Sequence, residues 1–266
     1  MSKSKKSQLS QKLTGGQASI QSLKKEKTKH IFGLIGSATM EMFDALYHER
    51  DINFIGVRDE RTGTHMADGY ARASNKPGVI LAGQNGPGAT NLVTGIAQAA
   101  AAFSPVISIS GYISTKDKIQ DAFQGIDQQS LFKPITKKTW TITKIQKIPH
   151  VFSKAFNLAM SPRRGPVHIN LPRNILSETS KFNINQNKVS YENENNSNGK
   201  KNDIKKAVKI INSASKAIII AGGGIKYLGK YNEVINLAEL LNIPMVTSAG
   251  HGDAIPSDHK LNAGQM

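Results

Sequence analysis

At 266 residues the chain is long enough for one full domain and part or all of a second, and it has no cysteine, which excludes disulfides, thiolate metal sites and a cysteine nucleophile together. The net charge of +16 invites a nucleic-acid reading, but the lysines are scattered over tail, helix faces and linker, with no zinc spacing, RNP-like aromatic signature or recognition-helix motif beside them. The charge reads as solvated surface with no nucleic-acid partner, and no run of about 18 apolar residues exists to span a membrane.

The first residues, Met1 to Gln11, are rich in lysine and serine without an apolar stretch, which rules against a secretory signal, and they lack the arginine of a transit peptide. Residues 1–12 therefore read as a disordered basic tail on a cytoplasmic chain. Strand-like runs follow at Ile31 to Ile35, Ile52 to Val57, Val79 to Ala82 and Val106 to Ser110, alternating with helical patterns. That alternation predicts an α/β fold, a mostly parallel sheet with crossover helices on both faces. Between the first two runs, Ser37 stands as an N-cap with Glu41 in the first turn, and Met40, Phe43 and Tyr47 form an apolar stripe expected in the core.

The second run, Ile52-Asn53-Phe54-Ile55-Gly56-Val57, is short and rich in β-branched and aromatic residues, as in a strand covered on both faces. It leads into Arg58-Asp59-Glu60-Arg61-Thr62-Gly63-Thr64-His65-Met66-Ala67-Asp68-Gly69-Tyr70-Ala71-Arg72, where Ala67, Tyr70 and Ala71 recur at helical spacing. Glu60 thus stands where strand hands over to helix, at the sheet edge where open α/β folds bind ligands. Taken alone, such a glutamate is more often a solvated residue favoured by the helix macrodipole.

The third run ends in a glycine turn, Gln84-Asn85-Gly86-Pro87-Gly88, which opens a small, alanine-rich helix from Asn91 to Ala102; Pro105 then begins the next strand. Free N–H groups at such a turn can meet an anion, but the Lys and Ser/Thr of a phosphate-binding P-loop are missing, which decides against a nucleotide triphosphatase. Gln84 and Asn85 are candidates for polar contacts, and an asparagine that merely stabilises the turn is an equal reading. His30, His65 and His168 show no metal-ligand spacing, so no residue is assigned to a metal.

From Phe182 to Asp203 the sequence is Asn-rich and charged with little periodicity, an interdomain linker over residues 181–202 between a domain at 13–180 and a second at 203–266. In the second, Ala217-Ile218-Ile219-Ile220-Ala221 is a buried strand ending in Gly222-Gly223-Gly224, and Tyr231 to Leu241 is the helix that crosses to Met245-Val246-Thr247, a partial Rossmann-like arrangement. The run does not complete a Gly-x-Gly-x-x-Gly fingerprint because Tyr227 holds the last position.

Several of these stretches, in order from Leu13 to about Leu176, resemble the N-terminal pyrimidine-binding domain of thiamine diphosphate enzymes of the acetolactate synthase type. They are Lys29-His30-Ile31-Phe32-Gly33-Leu34-Ile35-Gly36, the segment around Glu60, Gln84-Asn85-Gly86-Pro87-Gly88-Ala89-Thr90-Asn91, Asp121-Ala122-Phe123-Gln124, and Arg164-Gly165-Pro166-Val167-His168-Ile169-Asn170-Leu171-Pro172. The region from Ala217 resembles the opening of the family's middle domain, incomplete over residues 203–266. Many relatives have His-Glu-Gln-Gly-Ala where this chain has Asp59, Glu60, Arg61 and Gly63 with threonines at 62 and 64, so an extra acid and an extra base flank the key carboxyl.

The resemblance implies a catalytic role for Glu60, whose carboxyl would share a proton with the pyrimidine ring nitrogen of thiamine diphosphate and favour its imino form. It implies cofactor contacts from Gly36, Glu60, Gly86, Pro87, Gly88 and Asn91, and substrate-side contacts from Gln84, Asn85 and Gln124. Magnesium would be supplied through a domain that this sequence lacks, since Gly252-Asp253-Ala254 is not the family's Gly-Asp-Gly motif. FAD occurs in the middle domain of acetolactate synthases, but close strand-to-helix packing is the preferred reading of the glycine run here. The expected activity is acetolactate synthase-like, on a 2-oxo acid. The alternatives are a sulfoacetaldehyde acetyltransferase-like enzyme, which Ile35-Gly36-Ser37-Ala38 and the second glycine turn also resemble, and a non-catalytic assembly or regulatory module. The expected partner is a second copy, or a split subunit that carries the diphosphate domain, so the chain is read as an N-terminal part of the whole enzyme.

Overall fold

Residues 10–116, 122–183 and 199–266 are described by a computed structural model, without the side chains of residues 183 and 226–228. Asp121 of the fourth landmark, residues 184–198 of the expected linker, residues 1–9 of the tail and the Tyr227 side chain lie outside them. The chain divides into two units, Met1–Glu192 and Asn193–Met266.

The first unit runs β1 (Ser10–Thr14), α1 (Gly15–Lys25), β2 (His30–Leu34), α2 (Met40–Tyr47), β3 (Asn53–Gly56), α3 (Glu60–Ser74), β4 (Gly78–Ala82) and α4 (Pro87–Ala101). It continues β5 (Val106–Tyr112), α5 (Gln128–Phe132), β6 (Thr139–Thr141), α6 (Ile148–Met160), β7 (Val167–Pro172), α7 (Arg173–Ser177) and β8 (Thr179–Asn183). Six strands form one sheet in the order β3-β2-β4-β5-β7-β6, and every pairing in it is parallel. The period of two along each strand divides the core between the faces. Val79 and Leu81 of β4 join Ile107, Ile109, Val167 and Ile169 under α1, α2 and α6, while Ile80 and Ala82 join Ala67, Leu92 and Phe132 under α3, α4 and α5. Each large side chain so buried contributes roughly 1.5–3 kcal/mol.

Four local expectations change in this unit, and in the second the expected buried strand at 217–221 shortens to Ile219–Ala221, with Ile218 and Ile220 each 54% exposed. The strand at residues 53–56 is an edge strand, with Asn53 and Gly56 exposed, and is not covered on both faces. In α2 the core face is Met42 and Leu46, whereas Met40 is 57% and Tyr47 86% exposed and Phe43 is half-buried against Phe54. The helix carries two apolar stripes, and packing against α1 and the sheet selects the second. Ser37 opens a 3₁₀ turn without a side-chain cap, its Oγ lying 3.2 Å from Gln84 Nε2, which donates to it. Ser10–Lys12, assigned to the tail, pair as β1 with β8, Ser10 opposite Asn183 and Lys12 opposite Lys181, so the first residues of the assigned linker are strand as well. Among the described side chains of that ribbon Leu13 and Phe182 alone are buried, so its sequence shows no alternation to read.

The second unit comprises α8 (Lys201–Ser213), β9 (Ile219–Ala221), α9 (Gly223–Leu228), α10 (Tyr231–Leu241), β10 (Met245–Thr247) and β11 (Asn262–Gln265), the strands forming a three-stranded parallel sheet, order β11-β10-β9. Its core is small: Ala221, Ala238, Met245, Ala254 and Ile255. No helix among the described residues is long and apolar enough to cross a membrane.

One part of the main sheet is polar. On the face toward α5, Ser108 stands in register with His168 and Thr139, and Ser110 with Asn170 and Thr141. His168 is fully buried, and burial pushes its imidazole down to about 3, against an ordinary value near 6.5. The unfolded chain therefore takes up a proton below about pH 6.5 that the folded chain refuses until about pH 3. Stability is fully present above that window and falls as pH drops through it, by up to ~1.4 kcal/mol per pH unit from this group. Thermal unfolding from pH 7 to pH 4 should lose that part of its slope in His168→Gln; equal slopes in the two proteins would contradict the assignment.

Candidate functional site

The chain leaves β2 for β3 on one side and returns past β2 to β4 on the other, so a crevice opens beyond the carboxyl ends of β2 and β4. Two loops meet there at backbone distance. A Cβ on Gly36 would lie 2.7 Å from the Gly83 carbonyl carbon, and the Ala38 N–H donates to the Gly83 carbonyl at 3.0 Å. Any side chain at 36 would push the two strand ends apart.

Glu60 is the first residue of α3. Asp59 caps the helix, its Oδ1 accepting from the Arg61 N–H at 2.8 Å, and pairs with the Arg61 guanidinium at 2.6 Å, which holds its carboxyl down to about 2. The flanking acid and base are thus spent on each other. Glu60 itself is 4% exposed, so it is not the solvated helix-start residue that its position alone would suggest. Its Oε2 accepts from Asn91 Nδ2 at 2.9 Å, across from α4. Its Oε1 faces Gly88, where a Cβ would stand 3.2 Å from it and 3.0 Å from the Gln84 Cβ. The result is a buried carboxyl with one oxygen committed and the other turned toward Gly88, beside the Gln84 Cβ, an arrangement suited to holding or sharing one proton with a ring nitrogen.

The glycine turn is shorter than expected, because α4 begins at Pro87, four residues before Asn91; the proline fixes φ and has no N–H to lose at a helix start. Gly86 has φ +48° and ψ −106°, and a Cβ there would overlap the Gln124 carbonyl oxygen. Two struts, both donated from the turn, join it to the loop before α5 and to the first residue of that helix. Asn85 Nδ2 donates to the Gln124 carbonyl at 2.9 Å, and the Gly86 N–H donates to Gln128 Oε1 at 3.2 Å. Asn85 therefore braces backbone, that of the facing loop. Gln124 is half-buried with φ 57°, and its carbonyl makes the contact with Asn85.

Glu60, Gln84, Gly88 and Asn91 come together on one side, and Asn85, Gly86 and Gln124 on the other, with Pro87 between them and Gly36 at the adjoining strand end. Gln128 was missed: it sits in a run, Asp127-Gln128-Gln129-Ser130, that reads as a solvated helix start, and nothing in it signals burial. Beside Gly36 and Gln124, Ile35 is 67% and Phe123 88% exposed. Among the described residues no group of three or more His, Asp and Glu is placed to hold a metal.

Residues 13–131 match the family described as thiamine pyrophosphate enzyme, N-terminal TPP binding domain, and residues 204–266 match thiamine pyrophosphate enzyme, central domain. The chain is 42% identical over 258 residues to a probable acetolactate synthase large subunit of Methanococcus aeolicus, covering 96% of this chain and 43% of that protein. It is 41% identical over 257 residues to the probable acetolactate synthase large subunit of Methanocaldococcus jannaschii, with 96% and 43% covered. Against the acetolactate synthase isozyme 3 large subunit of Escherichia coli it is 36% identical over 256 residues, with 96% and 44% covered. The chain thus spans less than half the length of these curated relatives.

The geometry separates two glycine substitutions. Gly86→Ala should destabilise by about 1–3 kcal/mol, because the alanine must leave this conformation or displace Gln124. Gly69→Ala, within α3 and with nothing within 4 Å of its added methyl, should stabilise by about 0.5–1 kcal/mol. Urea denaturation of both variants checks the pair, and a neutral Gly86→Ala would mean that the turn is free to relax.

Proposed function

The chain belongs to the thiamine pyrophosphate enzymes, and from that membership we propose that it is the N-terminal part of an acetolactate synthase-like enzyme acting on a 2-oxo acid. The observation that carries the reading is Glu60, buried, with Oε2 held by Asn91 and Oε1 open toward Gly88. These residues fit the pyrimidine end of thiamine diphosphate: a flat ring needs close approach to backbone, which Gly88 gives, and its ring nitrogen needs one carboxyl oxygen free. When bound, thiamine diphosphate supplies the electron sink that lets a 2-oxo acid lose carbon dioxide and pass on its acyl group.

In this reading Glu60 Oε1 holds the proton shared with the pyrimidine nitrogen, and Asn91 keeps the carboxyl turned so that Oε1 is the oxygen presented. Gly88 allows backbone to approach the ring, Gly36 and Gly86 fix the strand end and the turn that carry Pro87 beside it, and Gln84 and Gln124, with Asn85 bracing the loop, line the substrate side. Magnesium and the diphosphate groups would be held by sequence other than these residues, because the one Gly-Asp pair, Gly252-Asp253, is followed by alanine. The exposed Ile35 and Phe123 support a partner surface there, either a second copy or a subunit carrying the diphosphate domain. A cytoplasmic setting, with no nucleic-acid or membrane partner, belongs to the same reading.

Glu60→Gln, in a protein that joins this chain to a diphosphate-binding domain, should slow exchange of the cofactor's C2 proton by roughly 10² to 10⁴ with the fold retained. NMR of the exchanging proton is the readout, and a wild-type rate would sink the role of Glu60. The 266 residues alone should bind thiamine diphosphate weakly and without magnesium dependence, since magnesium leans on phosphate oxygens and on carboxylates assigned elsewhere. Calorimetric titration with and without magnesium decides this; tight, magnesium-dependent binding would place the phosphate site within this chain.

A further inference from the structure

Gln128 has no part in the reading above, yet it is fully buried at the start of α5 and bonded at both ends of its amide. Oε1 accepts from the Gly86 N–H at 3.2 Å, while Nε2 faces Ser110 Oγ at 2.8 Å, the Gly111 carbonyl at 3.1 Å and Asn170 Oδ1 at 2.7 Å. Two backbone groups fix which end is which. A reversed amide would set donor against the Gly86 N–H and acceptor against the Gly111 carbonyl.

The polarity then propagates through side chains alone. Asn170 must turn Oδ1 toward Gln128, and its Nδ2 donates to Thr141 Oγ1 at 3.1 Å. His168 Nε2 lies 2.8 Å from that same Oδ1, an atom that only accepts, so Nε2 carries the imidazole proton. Nδ1 is left to accept from Ser108 Oγ at 2.5 Å, and the neutral ring stacks on Phe132 with centroids 3.6 Å apart. The two amides and the imidazole each have one orientation, the Ser110 hydroxyl lying 2.8 Å from Gln128 Nε2 and 3.2 Å from His168 Nε2, and the upper end is the amide of Gly86, which holds a positive φ.

We propose that Gln128 is a positioning residue: anchored on Asn170, His168 and Ser108, it holds the Gly86 N–H and so keeps the glycine turn and Gln124 set for the ligand. The use of that turn rests on the function proposed above; the ladder does not. Asn85 ties the turn to the Gln124 carbonyl through its own side chain, so loss of Gln128 leaves the loop tethered while the Gly86 amide is released.

Gln128→Met keeps the length of the side chain and removes both hydrogen-bonding ends. Hydrogen exchange of the Gly86 amide should then accelerate about 10-fold, with the Ile107 and Ile109 amides of β5 exchanging as in the wild type. Acceleration of all three together would make Gln128 a core filler, and an unchanged Gly86 would end the proposal. In the protein joined to a diphosphate-binding domain, kcat on a 2-oxo acid should fall by about 10² with KM within roughly threefold. Fast Gly86 exchange with an unchanged kcat would overturn the positioning role. Wild-type C2 exchange in Glu60→Gln would instead fail the function proposed above and leave the Gly86 result standing. If Gln128→Met does not fold, ¹⁵N shifts of His168 in the unaltered chain test the ladder. It requires a neutral ring protonated at Nε2 at pH 7, and an Nδ1–H tautomer or an imidazolium overturns it.

Discussion

A carboxyl group is carried out of water at little cost only where hydrogen bonds replace the solvent, and the site is organised around meeting that constraint at Glu60 on one side alone. Asp59 takes up Arg61 and caps α3, so the helix can begin at Glu60 with its positive end beneath the carboxyl. Asn91 must then reach Oε2 from α4, which requires α3 and α4 to lie in close contact. Thr64, whose Oγ bonds back to the Glu60 carbonyl at 2.7 Å, meets α4 at Gly95, where a Cβ would force the helices apart. Helix packing thereby commits one carboxyl oxygen and leaves the other open.

The sheet supplies a second layer of control. Most of its interior is apolar, but under the glycine turn β5, β7 and β6 present serine, histidine, asparagine and threonine in register. A partly satisfied polar cluster there would cost more than an apolar core, whereas a fully bonded one imposes a single arrangement. The reach of that arrangement is visible at the surface. Gln124 holds a left-handed backbone, which costs a non-glycine residue roughly 1–2 kcal/mol, and its carbonyl is pinned by Asn85. Rigid strands at the floor and two struts at the rim hold a strained loop against the glycine turn.

The order of strands and helices was legible because it rests on local pattern. Val79 to Ala82 and Val106 to Ser110 lie within observed strands, and Tyr231 to Leu241 and Met245 to Thr247 coincide with α10 and β10. The glycine-rich words located the strand ends and the neighbourhood of Glu60, Gly88 and Asn91, since few other residues tolerate such close approach. Legibility failed wherever the deciding partner was remote. Met40, Phe43 and Tyr47 form as good a stripe as Met42 and Leu46, and only the neighbours of α2 choose between them. Ser10–Lys12 look like tail because their partner strand is Thr179–Asn183, at the far end of the domain.

What the sequence determined by itself was the alternation of strand and helix, the glycine turns and the position of one carboxylate at a strand-to-helix junction, because periodicity, φ preference and helix capping act over a few residues. The tertiary structure alone decided that Glu60 is buried, that Asn91 holds Oε2 while Oε1 stays open, that Asn85 braces a loop, and that Gln128 and His168 form one bonded ladder. Most of those outcomes depend on hydrogen bonds between groups distant in sequence, such as Asn91 and Glu60, 31 residues apart, and Ser108 and His168, 60 apart, whose partners are chosen by the register of parallel strands and the packing of α3 on α4.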